Sequence, residues 1–171
     1  MSRVYISNVT GKIEQRVAIN SSAGSGDANK IVATTSAGTI NANMLPEGIG
    51  ADTRSVVASE NLTGGDMVNL FDDTGTISAR RADNSNNRPA HGYVLEGVTA
   101  TESGDVYFTG TISGLTGLTI GADHYLGTTG AATTTAPSAQ GTIVQAVGVA
   151  LSATELRFMR ERPILLQEVE A

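Results

Sequence analysis

From Arg54 onward no segment longer than a few residues keeps a helical period. Short alternating runs recur instead, at a spacing of roughly 8–12 residues with turn residues between them, the pattern of a sandwich or small barrel. Strand readings fall on Ser55–Glu60, Asp66–Phe71, Thr76–Arg81, Ala90–Val98, Gly104–Gly110 and Ala122–Gly127. Gly64-Gly65 and Asp72-Asp73-Thr74-Gly75 supply turns, and ADNSNNRP (82–89) reads as a solvated polar loop. Leu115–Gly121 is a glycine-punctuated bend, and Thr128–Gln140 is a loop or an edge strand.

The strongest strand signal is Gly141–Arg160, two strands joined by Ser152-Ala153-Thr154. Side chains alternate with period two along a strand. Ile143, Val147, Val149 and Leu151 then form a bulky face, interrupted by Gln145. Val144, Ala146, Gly148 and Ala150 form a nearly bare one, a candidate seam against a second layer or a sister subunit. On that expectation Ala146→Phe or Gly148→Val overcrowds the seam at a cost of about 1–3 kcal/mol. Arg157 faces away from Leu156 and Phe158 and belongs with Arg160 and Arg162 to a basic cluster; Arg80-Arg81 is another. Each is either a solvated face or a contact with an acidic partner or neighbouring subunit.

The first part of the chain differs. Val4-Tyr5-Ile6 and Arg16-Val17-Ala18-Ile19 read as short strands among segments rich in Ser, Gly, Asn and Thr. Such a composition cannot offset folding entropy by its own burial. It predicts an extended arm, ordered only where it lies on something else, with Val4, Tyr5, Ile6, Val17 and Ile19 as partner-contacting residues. Pro46, Gly48 and Gly50 mark a hinge. The predicted division is therefore arm and linker over 1–53, an all-β barrel or sandwich, antiparallel, over 54–162, and a tail over 163–171 that extends along a neighbour or forms one helical turn.

Composition bounds the function. Aromatic residues are only 4% of 171, with no Trp, so each buried position stabilises less and oligomerisation becomes a natural support. A net charge of −6 argues against nonspecific binding of nucleic acid or anionic membrane. Cysteine is absent, which excludes disulfides and thiolate chemistry, and no signal peptide or membrane-spanning apolar run is expected.

No constellation carries catalysis. His91 and His124 lack partners at metal-ligand spacing and read as polar-tipped residues at strand ends. Asp83-Asn84-Ser85-Asn86-Asn87 places oxygen ligands like a calcium loop, but Arg88 and Val94 occupy the positions that need Gly and an acid. Gly24–Lys30 lacks the Gly-Lys-Ser/Thr ending of a phosphate loop and reads as a flexible turn. Asp72 with Asp73, or Glu96 with Glu102, could form an acid/base pair only if a pocket held them. The expectation is a non-enzyme with no cofactor, no metal and no small-molecule substrate.

Several segments resemble tailed-phage virion proteins. KIVATTSAGTINANMLPEGIGADT is similar to a linker found in many of them, of the form K-I/V-V-x-x-x-x-x-G-x-I/L-x-x-x-x-x-P. VVASENLTGGDMVNLFDD, ARRADNSNNRPAHGYVLEGV, GLTGLTIGADHYLGTTGAATTTAP and GTIVQAVGVALSATELRF resemble the small β-domain of head-decoration and head-fibre proteins. The resemblance runs over Lys30–Phe158. It implies a virion structural protein, a capsid decoration (cement) protein or short head fibre, made in the host cytoplasm and placed on the outer surface of the capsid. It implies the major capsid protein and sister copies, as a homotrimer, as partners, and no catalytic residues. The alternatives are a tail- or neck-associated adaptor or short fibre, and a glycan-binding β-module. The last needs an exposed aromatic platform built from Tyr5, Tyr93, Tyr107 and Tyr125.

Overall fold

A computed structural model describes residues 4–7, 14–41, 44–45 and 52–167. The predicted hinge at Pro46–Gly50 and the last residues of the tail lie outside them. The chain divides into two compact units, 1–50 and 51–171.

In the first unit β1 (Val4–Ser7) pairs antiparallel with β2 (Glu14–Val17), Val4 opposite Val17 and Tyr5 opposite Arg16. Ile19 then bridges Val32: its N–H donates to Ile31 O (2.9 Å), and its carbonyl accepts from Ala33 N–H (2.7 Å). The segment expected to run extended is thus folded onto itself. A lone strand would leave every N–H and C=O to solvent, whereas pairing satisfies half of them. Ser25–Asp27 is a single 3-10 turn, where a flexible turn was expected. The Asp27 carboxylate accepts from Ala23 N–H and holds Lys30, and these contacts keep it below the usual carboxylate range.

The second unit is all-β. β3 (Thr53–Ala58), β4 (Met67–Asp73), β5 (Thr76–Arg81), β6 (Gly92–Val94) and β7 (Ser103–Tyr107) form a closed barrel in the order β3-β5-β4-β6-β7. The β4–β5 connection is two residues, Thr74-Gly75, both with positive φ (52° and 89°), the geometry that matches strand twist in a tight hairpin. One rung departs from the antiparallel expectation: β3 meets β5 in parallel through Val57–Ser78 and Ala58–Ala79, and this pairing helps close the barrel.

β8 (Gly110–Ser113), β9 (Asp123–Leu126), β10 (Ala132–Thr133), β12 (Ala146–Ala150) and β13 (Glu155–Phe158) make a second antiparallel sheet, ordered β10-β9-β12-β13-β8. β11 (Ile143–Val144) pairs with β14 (Ile164–Leu165), so the tail segment turns back onto its own chain.

Two cores follow from strand alternation. Val56, Val68, Ala79, Val94 and Val106 fill the barrel. Their strand neighbours Met67, Ala82 and Tyr93 point outward and join Ile112, Leu126, Ile143, Val147, Leu156 and Phe158 of the second sheet. The barrel wall is therefore apolar on both faces along β4 and β6, which is why the second sheet packs there. Tyr93 is the hub, 5.2 Å from the Phe158 ring and 5.5 Å from Tyr107.

The predicted bare face does not exist as one face. Between Ala146 and Gly148 the register against β9 slips: Ala146 opposes Tyr125, and Gly148 already opposes His124. That extra residue is a β-bulge, which reverses the inward parity of the strand. Ile143, Gln145 and Val147 are buried before it, Gly148 and Ala150 after it, and Leu151 is exposed.

Candidate functional site

Most of the predicted partner residues separate into two places. Val4, Tyr5 and Ile6 lie on β1 and Val17 at the end of β2, with Ile19 in the bridge to Val32. Val17 is 52% exposed, and Ile31, Val32, Ile40 and Leu45 are exposed as well; among the described residues of this unit only Ala33 is a buried hydrophobic. Pairing thus satisfies the backbone while Val17, Ile31, Val32, Ile40 and Leu45 stay uncovered. On the β-domain, Arg157 and Arg160 are exposed, Arg157 turned away from buried Leu156 and Phe158 as alternation requires. Val144 and Ala146 are half-buried. Gly148 and Ala150 are buried within the domain's own packing, so neither presents an open surface.

Residues that the sequence reading gave no joining role hold the barrel to the second sheet. Gln145, fully buried, accepts from Ala90 N–H at Oε1 (2.8 Å) and donates from Nε2 to Ala90 O (3.0 Å) and Glu161 O (3.1 Å). Its amide copies the donor–acceptor pair of a strand residue. The 82–89 loop is not simply solvated. Asp83 and Asn84 are buried; Asn84 donates to Leu126 O (2.9 Å), and Asp83 accepts from Ser85 and from Thr129 N–H. Burial pushes the Asp83 carboxyl up, but these hydrogen bonds and Arg88 outweigh it and leave it below the usual range. The clue available in sequence was a polar residue at an inward strand position, which must find a buried partner.

The histidines differ from each other. His124 is buried in β9, with Nδ1 3.0 Å from Ala122 O and Nε2 without a partner among the described residues. His91 is half-buried, and its Nδ1 accepts from Leu70 N–H (2.9 Å), which only the unprotonated ring allows. Burial, then the Arg160 guanidinium, holds His91 below the ordinary histidine range. The unfolded chain therefore takes up a proton near pH 6.5 that the folded chain resists. Stability is complete above that pH and declines as pH falls toward the lower folded value. His91→Asn, which keeps an acceptor for Leu70, is expected to show a smaller drop in Tm between pH 7 and pH 5 than the parent, measured by thermal melts across that range.

Glu96 and Glu102 do share a hollow, a groove of about 330 Å³ also lined by Asp105 and Tyr107. It gathers negative charge, the opposite of what a phosphate-bearing ligand needs. Among the described residues no cluster of His, Asp and Glu has the makings of a metal site, and no helix is long and apolar enough to cross a membrane.

No protein-family model and no curated protein matches the sequence. A solved structure is similar. It is the N base of the head fibre gp8.5 in bacteriophage phi29, 13% identical, over 71% of this chain and 100% of that one, with a TM-score of 0.46.

Tyrosine placement bears on the glycan alternative. Tyr93 is buried, and Tyr107 and Tyr125 are half-buried in strands. Tyr93 and Tyr107 stack on each other and pack in the core.

Proposed function

We propose that this is a phage virion structural protein that decorates the outer surface of the capsid and stabilises the shell. The observation that carries the reading is the first unit: a paired-strand segment whose Val17, Ile31, Val32, Ile40 and Leu45 are left exposed. Such a surface is stable in water only at a cost, and a partner that covers it recovers that cost. The ordered likeness of Lys30–Phe158 to head-decoration and head-fibre segments supplies the class of partner.

The mechanism is physical. The outer edge of β1 or β2 adds to a strand of the shell protein, and backbone hydrogen bonds give affinity with little demand on side-chain identity. The exposed apolar side chains are buried in the same event. A homotrimer engaging several shell subunits converts weak contacts into avidity. The β-domain, held rigid by two cores, transmits the load across subunit junctions.

The test uses heads that lack the protein. Covering even half of the exposed area of those five side chains is worth about 3 kcal/mol, roughly a hundredfold in affinity. A chain beginning at Ala51 is expected to lose at least that much head binding, and full-length protein with Val17→Ser, Val32→Ser and Ile40→Ser about tenfold or more. Binding by both variants at the parent's strength would contradict the arm mechanism; failure of the parent to bind heads would contradict decoration itself.

A further inference from the structure

Three chain segments far apart in sequence bring basic side chains together on the outer wall of the barrel. Asn69 on β4, 4% exposed, accepts from Arg80 Nε (3.0 Å) and donates to Pro89 O (2.9 Å), tying β5 to the residues on either side of Pro89. The Arg80 guanidinium lies over the Phe71 ring, 4.3 Å from its centroid, which fixes its plane. Its terminal nitrogens have no hydrogen-bond partner among the described residues. One position along β4, Leu70 N–H holds His91 by Nδ1 and leaves Nε2 as the remaining donor. The Gln145 amide donates to both Ala90 and Glu161 carbonyls, which sets Arg160 beside His91. Arg88 enters next to Pro89, its backbone paired with Asp83.

None of these cations is closely ion-paired, although Arg88 lies near enough to Asp83 to help lower its carboxyl. Among the described residues no carboxylate reaches ion-pair distance of Arg80, Arg88 or Arg160, whereas adjacent Arg81 has Asp66 at 2.9 Å. The groups feel one another: after burial, Arg88 depresses Arg80 and Arg160 depresses His91, with Glu60 opposing only at Arg80. Gathering like charges, with Arg80 fixed and its terminal donors unused, is unfavourable until an anion enters.

We propose that Arg80, Arg88, His91 and Arg160 form a carboxylate-binding cluster that docks an acidic segment of a partner protein. Arginine forks match carboxylates in bidentate geometry. The cluster is small and flanked by Asp66, Asp83 and Glu161 in a chain of net charge −6. A continuous phosphodiester would run from it onto like charge, whereas two or three side-chain carboxylates would not. The cluster does not depend on where the protein works, so its test needs only the purified full chain.

The probe is a fluorescently labelled hexaglutamate peptide, followed by anisotropy at low salt. Saturable binding is expected, weakened by added salt, and lost by about tenfold or more in Arg80→Gln/Arg160→Gln. Because Arg80 also packs on Phe71, Arg160→Gln alone, on an exposed side chain, is the companion variant, and an unchanged Tm shows that it is folded. It too is expected to bind more weakly, while Arg54→Gln binds as the parent does. No binding by the parent, parent-like binding by folded Arg160→Gln, or tighter binding of a single-stranded DNA oligonucleotide of equal charge would each overturn the proposal.

Discussion

Gln145→Leu is expected to destabilise the protein by about 3 kcal/mol, measured as the shift in denaturant midpoint at unchanged slope. The substitution keeps the volume and removes the amide. It strands the Ala90 N–H and C=O and the Glu161 C=O, all of which Gln145 satisfies across the junction between barrel and second sheet. Ala90 and Gln145 are both fully buried, so water cannot replace the lost bonds without opening the junction. Gln145→Glu separates this account from simple packing. Its carboxylate still accepts from Ala90 N–H but faces two carbonyls, so at neutral pH it is expected to lose at least as much as Leu. Acidification protonates it, restores a donor and recovers part of the loss. If both variants melted with the parent, the amide would not be the joint between the two layers.

Gly148→Ala is expected to cost at least about 3 kcal/mol, and Gly148→Val more, by the same measurement. A Cβ at this position would stand 1.9 Å from Arg157 O and 2.9 Å from Arg157 C, both backbone atoms of the paired strand β13. Its φ of 146° is also one that side-chain-bearing residues rarely adopt. Relief would require breaking the Gly148–Phe158 rung of the β12–β13 ladder, which holds Phe158 against Tyr93. The direction agrees with the sequence expectation, but the cause differs: the collision is inside the sheet, not at a seam between layers or subunits. Parent-like stability of Gly148→Ala would mean that the bulge relaxes freely.

The barrel strands could be read from sequence because each is a short run bounded by turn residues, with at least one apolar face at period two. Thr76–Arg81 is a strand over that whole span, and Val106 and Tyr107 do point to different cores. Alternation fails wherever one residue is inserted, since a bulge reverses every later side chain and leaves no mark beyond a glycine. Thus Gly148 and Ala150 went to the wrong environment, as did Leu151. The parallel β3–β5 rung was equally hidden, because strand runs carry no sign of their partner's direction. Asp83 and Asn84 look like any turn residues; their burial depends on Leu126 and Thr129, more than forty positions away. The basic cluster was half visible: Arg80 stood out with Arg81, and Arg160 with Arg157 and Arg162, but only folding joins Arg80 and Arg160 to Arg88 and His91.

The proposed shell-decoration role is tested most directly by labelling the protein on intact virions that carry it and counting and locating the copies. Many copies spread over the whole head surface are expected, lost together with head stability when the protein is omitted. A few copies confined to one vertex or to the tail would contradict the reading and favour an adaptor or short fibre.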